Sequence, residues 1–318
     1  MREYYITKND SGQRLNKFLE KAVPLLSGGM MHKYLRLKRI KVNNKRTEAA
    51  YKLAEGDSVQ LYLNDEFFET PSEENVYLTI ANPKLHILYE DENILLLDKP
   101  AGMVVHADEG EKVNTLVNHL LAYLYQKREW KPREENAFTP ALCNRIDRNT
   151  GGIVIAAKNA EALRVLNEKI RERELSKFYL CICLGRPEPP KGRIECFLRK
   201  DSKTNTVRVY HHPVPDGRSA VTLYETLETR DRLSLVEVEL LTGRTHQIRA
   251  SFADMGHPLL GDGKYGVGSV NRRYGEAQQA LYSYRLRFDF PTDAGILNYL
   301  RGREFIADEV PFRRKYFG

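Results

Sequence analysis

The chain predicts an α+β fold with a central, largely antiparallel mixed sheet, flanking helices, and a small α/β module ahead of it. Two observations carry this expectation. Beyond about residue 85, strand-like segments arrive in runs with only a few helical segments between them, which favours antiparallel pairing over alternating βαβ units. The first fifth of the chain is also set apart by charge. Residues 1–62 hold 13 Lys and Arg against 6 Asp and Glu, and the rest holds equal numbers, so the whole formal net charge of +7 resides in this stretch. Such a confined excess, with a pI near 9.0, suggests a polyanion-binding module joined to a neutral body.

The elements follow in order. RLNKFLEKAVPLL places Leu15, Phe18, Leu19 and Val23 at helical spacing, and HKYLRLKR continues with apolar residues among basic ones. IKVNNKR reads as a strand into an Asn-Asn turn, and a second strand follows the Gly56-Asp57 turn. Residues 63–84 are acidic, weakly periodic and contain two prolines, so they are expected to link module and body, with Val76–Ile80 as a possible strand. In the body, ILYEDENILLLDKP suggests two strands around an acidic turn, and NTLVNHLLAYLYQKRE an amphipathic helix. GGIVIAAK is a strand, NAEALRVLNEKIRERE a helix with Asn159 as N-cap, and KFYLCICLG a strand. TVRVYHH, SAVTLYETLE, RLSLVEVELL and QALYSYRLRFDFP supply further strands, whereas VGSVNRRYGEAQQ, residues 267–279, reads as an exposed insertion.

Composition narrows the function. A chain of 318 residues suffices for one large core plus a smaller domain. No apolar run approaches a membrane span, and MREYYITKNDSGQR lacks a signal core, so a cytoplasmic protein without a membrane partner is expected. The four cysteines, Cys143, Cys181, Cys183 and Cys196, form no C-x-x-C pair and have no His at zinc spacing. Buried thiols are expected, with no metal site.

CNRIDRNTGGIVIAAKN, residues 143–159, raises the chemical question. Asp147 lies between Arg145 and Arg148 ahead of a Thr-Gly-Gly turn, with no partner acid, metal motif or triad nearby, and reads as a nucleophile.

Four segments then carry a resemblance. LLLDKPAGMVVH, NRIDRNTGGIVIAAK, KFYLCICLG and LLTGRTHQIRASFADMGHPLLGDGKYG occur in the order and at the separations of the RluA-type pseudouridine synthases, which modify uridines in ribosomal and some transfer RNAs. Residues 85–318 thus resemble that catalytic domain. The resemblance implies the pseudouridine synthase fold, a catalytic Asp147, an active-site Tyr179, an Arg249 paired with the aspartate, and no cofactor. The enzyme would break the bond between ribose and uracil N1, turn the base, and rejoin it through C5. A carboxylate can serve as nucleophile or base in that sequence, and a guanidinium within reach favours its charged form in a dry pocket. An aromatic face such as that of Tyr179 can receive a flipped base, and its hydroxyl can move a proton at C5. Arg145 is expected to reach the RNA where the base has left, and Arg148 to contact phosphate or support the loop.

Residues 1–62 resemble an S4-type RNA-binding domain, on RLNKFL, LRLKRIKVNNK and KLAEGDSV. Asn44 stands where the family usually has glycine, and SGGMM replaces a usual serine-arginine helix start. Lys33, Arg36, Lys38, Arg39, Lys41 and Lys45 are expected to contact phosphates, as is Lys264 in the body.

The other motif residues divide less cleanly. Gly102, Gly151 and Gly152 are expected to permit tight turns or close approach. Asp98, Lys99 and Pro100 have either structural or RNA-contacting roles at the rim. His106 and His246 read as polar scaffolding, since the chemistry needs no histidine base. Asn144 replaces the family's usual histidine and removes a titratable ring. The expected partner is RNA, with large-subunit ribosomal RNA favoured by the S4-like module, and a monomer is expected. The competing readings are a synthase acting on transfer RNA and a non-catalytic RNA-binding or ribosome-assembly factor on the same fold. A glycoside hydrolase would need a second carboxylate, and none declares itself.

Overall fold

The computed structural model describes residues 1–7, 10–133, 138–201 and 203–318. The chain divides into two compact units. Unit 1 comprises Met1–Lys84 with His106–Glu134, and unit 2 comprises Leu85–Val105 with Glu135–Gly318.

Unit 1 is built from β1 (Arg2–Tyr5), α1 (Leu15–Ala22), α2 (Gly28–Arg36), β2 (Ile40–Val42), β3 (Lys45–Arg46), β4 (Ser58–Leu61) and α3 (Leu116–Lys127). Its four-stranded sheet has the order β1-β4-β2-β3. The two helices expected near the N-terminus are present, and α2 starts earlier than HKYLRLKR because the Ser27 side chain caps the Met30 amide. The β2–β3 turn puts Asn43 and Asn44 at φ 51° and 65°, a left-handed pair that asparagine tolerates, so Asn44 fills a glycine's place without a clash.

Residues 63–84 contain 3-10 turns at Asp65–Phe68 and Val76–Thr79, the latter where a strand was possible. Phe67, Tyr77, Leu78 and Ile80 are buried there, and Gln126 of α3 donates to the Ile80 carbonyl at 2.8 Å. Apolar side chains spaced without period gave this segment no sequence signature, yet they pack into unit 1.

Unit 2 comprises β5 (Ile87–Glu90), β6 (Ile94–Lys99), β7 (Ala141–Leu142), β8 (Gly151–Ala157), α4 (Ala160–Arg171), β9 (Leu175–Leu184), β10 (Lys191–Asp201), β11 (Thr206–Tyr210), β12 (Arg218–Arg230), β13 (Leu233–Leu240), α5 (Gln247–Asp254), α6 (Gly268–Tyr274), β14 (Leu281–Phe288), β15 (Glu304–Ile306) and α7 (Pro311–Phe317). Among the described residues its strands form one eleven-stranded sheet with the path β11-β10-β12-β13-β9-β14-β8-β6-β5; β15 pairs with β14 and β7 with β8. Only the β14–β8 pairing is parallel, so the sheet is mixed and largely antiparallel, as the runs of strands predicted.

Helix α4 lays Ala162 and Leu166 into a core shared with Ile153, Ile155, Leu175 and Phe288, and Asn159 caps it by accepting from the Ala162 amide at 2.9 Å. A second core, under α5, joins Ile248 and Phe252 to Tyr179, Cys181, Val236 and Val238. Cys181, Cys183 and Cys196 are buried free thiols, and Cys143 is half-buried. No helix among the described residues is long and apolar enough to cross a membrane.

The stretch 267–279 is more structured than its polarity suggested. It forms α6, with Asn271 buried and accepting from the Gly261 amide at 2.9 Å. Gln279 is buried too and donates to Thr150 Oγ1 at 3.2 Å.

Candidate active site

The loop bearing Asp147 is fixed at both ends by backbone pairing. Before it, the Cys143 amide donates to the Ile155 carbonyl at 2.7 Å, and Asn144 Oδ1 accepts from the Ile155 amide at 2.8 Å. Asn144 therefore prolongs the β7–β8 ladder with its side chain. A short amide does this without a ring, which gives the unusual asparagine a scaffolding part at the loop's entry.

After it, the Thr150 amide donates to the Asp147 carbonyl at 3.0 Å, and the chain enters β8 through Gly151 and Gly152. A side chain at Gly151 would meet the Tyr282 ring at 2.4 Å. One at Gly152, where φ is +111°, would meet the Ser283 carbonyl oxygen at 2.2 Å. Two glycines thus let β8 and β14 run in parallel contact. Gly152 pairs with Ser283, Ser283 with Tyr179, and Tyr179 with Val238, so four adjacent strands carry the Asp147 loop and Tyr179 in one register.

The middle of the loop is gripped from β6. Lys99, fully buried, donates through Nζ to the carbonyls of Met103 at 2.7 Å, Pro100 at 2.9 Å and Arg148 at 3.0 Å. The Arg148 carbonyl also accepts from the Gly102 amide at 2.8 Å. Burial pushes Lys99 down to about 7, opposed by the charges of Asp147 and Asp98. Three carbonyl acceptors need three N–H donors, so the cage fits the ammonium. Asp98 is held by the Tyr282 hydroxyl at 2.6 Å. Asp98 and Lys99 therefore act within the protein's own framework.

Opposite the loop stands α5. It begins after His246, which sits in the left-handed region at φ 52°. The buried amide of Gln247 fixes this end: its oxygen accepts from Thr242 Oγ1 at 2.9 Å and the Arg244 amide at 3.1 Å, and its nitrogen donates to Thr222 Oγ1 at 2.9 Å and the Val221 carbonyl at 3.1 Å. Ile248 and Phe252 face the core, which turns Arg249 toward the loop.

Arg249 is only 5% exposed. Its Nη1 donates to Asp147 Oδ2 at 2.7 Å, while Nε and Nη2 donate to Asp262 at 2.7 and 2.9 Å. Asp262 in turn accepts the Lys264 and Tyr265 amides at 2.8 and 3.1 Å. Burial works against the Arg249 charge, but the bonds and charge of Asp262, then those of Asp147, hold its pKa above the ordinary value. Burial would raise the Asp262 carboxyl, and Arg249 together with the two amides brings it below the usual range. The result is a guanidinium paired through Nε and Nη2 with Asp262, with Nη1 turned to Asp147.

Asp262 is the residue that motif reading passed over. An acid between two glycines in GDGKYG reads as a turn former, and only the fold shows it bracing Arg249.

His246 Nε2 lies 3.7 Å from Asp147 Oδ2, and its Nδ1 is 2.8 Å from the Tyr265 hydroxyl. Burial, with the charges of Arg249 and Lys264, outweighs Asp147 and pushes His246 down to about 4. Tyr179 is buried against Ile146, Val238 and Ile248. Burial, eased by a hydrogen bond with Ser283 and raised again by the charge of Asp147, pushes its hydroxyl up to about 12.

Asp147, Tyr179 and Arg249 are thus brought together within unit 2, Asp147 with its side chain 28% exposed. Arg145 and Arg148 on the same loop are exposed. Lys264 is exposed as well, its Nζ donating to the Asn205 carbonyl at 2.7 Å. The remaining cations belong to unit 1. Arg36, Lys38 and Lys45 are exposed, and Arg39 and Lys41 are half-buried over the rings of Tyr34 and Tyr62. Lys33 turns inward and donates to Gln126 Oε1 at 2.7 Å and the Ala81 carbonyl at 3.1 Å. Among the described residues no cluster of His, Cys, Asp and Glu could hold a metal ion.

This arrangement offers a carboxylate anchored by one oxygen, a buried aromatic ring in the adjoining core, and two exposed arginines on the same loop. A family model described as RNA pseudouridylate synthase matches residues 93–254, which span β6, the Asp147 loop, Tyr179 and α5. An uncharacterized RNA pseudouridine synthase of Mycoplasma genitalium is 32% identical over 289 residues, 90% of this chain and 88% of that protein. Ribosomal large subunit pseudouridine synthase C of Vibrio parahaemolyticus is 30% identical over 91% of this chain and 88% of its own length. The protein of that name from Rickettsia felis is 32% identical over 80% of this chain and 81% of its own. Among solved structures, Human RNA Pseudouridylate Synthase Domain Containing 1 shares the fold, with a TM-score of 0.54 at 21% identity over 78% of this chain and 96% of that one. The chain belongs to the RluA family of RNA pseudouridine synthases, isomerases that act on RNA.

Proposed function

We propose that this synthase isomerises uridines of large-subunit ribosomal RNA, with Asp147 as the reacting carboxylate. The observation that carries the reading is the single bond from Arg249 to Asp147 Oδ2, made by a guanidinium whose other side is locked to Asp262. Such a donor cannot follow the carboxylate if it moves, so it fixes position and charge together. The isomerisation breaks the C1′–N1 bond, forms C1′–C5, and shifts a proton from C5 to N1. Nothing is gained or lost overall, so an ionised carboxylate acting as nucleophile or base is sufficient and no cofactor is needed.

Tyr179 receives the extruded base on its ring, and its raised hydroxyl stays protonated, able to hydrogen-bond but not to act as an anion. Arg145 and Arg148, exposed on the same loop, meet the RNA backbone around the vacated stack, with Lys264 as a further phosphate contact.

Residues 1–62 act as an S4-type RNA-binding domain, and 85–318 as the catalytic domain. Arg36, Lys38 and Lys45 supply phosphate contacts, joined by Arg39 and Lys41, while Lys33 braces the platform through Gln126 and Ala81. Large-subunit ribosomal RNA as substrate is supported by the names of the relatives in Vibrio and Rickettsia.

Mapping pseudouridines in cellular RNA with and without this protein tests the reading, with complementation by wild type or Asp147→Ala. Sites in large-subunit ribosomal RNA should vanish with the protein and return with wild type alone. Lost sites confined to transfer RNA would overturn the substrate. Sites restored by Asp147→Ala would overturn the role of the aspartate.

A further inference from the structure

Tyr265 is in contact with three parts of the site. Its hydroxyl accepts from the Val207 amide of β11 at 2.7 Å and lies 2.8 Å from His246 Nδ1, and its ring faces the Arg249 guanidinium at 5.3 Å. The Val207 N–H takes up one acceptor position of the oxygen. What remains is one lone pair and the hydroxyl's own proton. His246 has its side chain 7% exposed and packs edge-on against the same ring at 5.6 Å.

Two tautomers are open to a neutral imidazole here. If Nδ1 carried the proton, it would donate to Tyr265, and the Nε2 lone pair would face the Asp147 carboxylate across 3.7 Å, lone pair against anion. If Nε2 carries it, the Tyr265 O–H donates to Nδ1 and an N–H dipole faces the carboxylate. Electrostatics favours the second arrangement, and the low dielectric of a buried site enlarges the difference.

We propose that His246 is a positioning residue of the reaction, held by Tyr265 as the Nε2–H tautomer so that its N–H faces the same oxygen of Asp147 that Arg249 binds. Two donors then converge on Oδ2. Among the described residues no hydrogen bond reaches Oδ1, which is left as the oxygen that meets the substrate. Burial holds the imidazole down to about 4, so it faces Asp147 as a neutral group at neutral pH. The chain of donors runs from the Val207 amide through Tyr265 and His246 to Asp147, so the placement of β11 is sensed at the reacting carboxylate.

The inference rests on Asp147 being that carboxylate, and its test separates the two claims. The full-length protein, labelled with nitrogen-15 histidine, reports each imidazole tautomer by two-bond proton–nitrogen correlation at neutral pH, with His246 assigned by its loss in His246→Gln. A protonated Nε2 and bare Nδ1 are expected, with Tyr265→Phe giving a mixture. Single-turnover kinetics on total RNA from cells lacking the protein supply the second reading. Tyr265→Phe and His246→Ala should lower the chemical rate about 10- to 100-fold with little change in KM, the scale of a misplaced reacting group. His246→Gln, whose amide N–H can replace Nε2–H, should recover most of it. A packing role would show no such rescue.

A protonated Nδ1 in the wild type overturns the inference. So does an unchanged rate in Tyr265→Phe, which keeps the ring packing should His246→Ala fail to fold. If Asp147→Ala is inactive in either of these cases, only the role of His246 falls. Full activity in Asp147→Ala would remove the underlying reading first.

Discussion

Arg249 and Arg36 carry the same guanidinium in opposite circumstances. Arg249 is 5% exposed, binds Asp262 through two nitrogens and spends its third donor on Asp147, while Arg36 ends α2 exposed among other cations. The first is specified atom by atom, because a buried charge must be paired and bonded or the fold does not tolerate it. On the proposed reading the second needs only to be near a phosphate, and its neighbours can substitute for it. Chemistry on that reading falls to groups that have one possible position, and binding to groups for which many positions serve.

The contrast is broken most forcefully at Asp262. Asp262→Asn takes the two-point carboxylate brace from Arg249 and leaves Asp147 as its remaining charge partner, so stability should fall by about 3 kcal/mol in denaturant titration and the rate should collapse with it. Wild-type activity in this variant would show that Arg249 needs no brace. Next is Gly152→Ala. Its Cβ would press on the Ser283 carbonyl at a φ of +111°, and on the order of 3 kcal/mol should be lost, with the Asp147 loop displaced.

How much of this was legible in the sequence follows the same division. The contact between Asp147 and Arg249 is legible through motifs although 102 positions separate the two residues. The Asn159 cap, the β2–β3 turn and most strands of the large sheet announced themselves locally. Helix α5 did not: Gln247 through Phe252 are all buried, so it has no polar face and no amphipathic period to read. Asp262 is meaningful only once α5 stands beside it. Lys33 looks like any other cation in HKYLRLKR until α3 brings Gln126 within reach, 93 positions away. Residues that act through one long-range partner are silent in a single sequence, whereas residues that act through spacing are not.

The exposed side gives smaller effects. Replacing Arg36, Lys38 and Lys45 together by alanine should weaken RNA binding at moderate salt. It should also reduce the slope of log affinity against log salt by about 2–3, as expected for losing that many phosphate contacts. The rate at saturating RNA should be unchanged. An unaltered salt slope would remove this face from the interface.

The smallest effect concerns acid. Burial holds the folded His246 at about 4 against an ordinary value of 6.5, so between these values the unfolded chain binds more protons. Stability from this source is complete above 6.5 and is lost as pH falls toward 4. Denaturant midpoints of the wild type should therefore drop more steeply over that window than those of His246→Gln. Parallel pH profiles would contradict a neutral buried imidazole.

The central claim is that the Asp147 carboxylate performs the chemistry while other residues supply the affinity. It is tested most directly by measuring binding and single-turnover conversion in the same samples, using wild type and Asp147→Asn on large-subunit ribosomal RNA from cells lacking the protein. Asp147→Asn should bind this RNA with an affinity close to wild type and form no pseudouridine. Conversion at a comparable rate by Asp147→Asn would contradict the account.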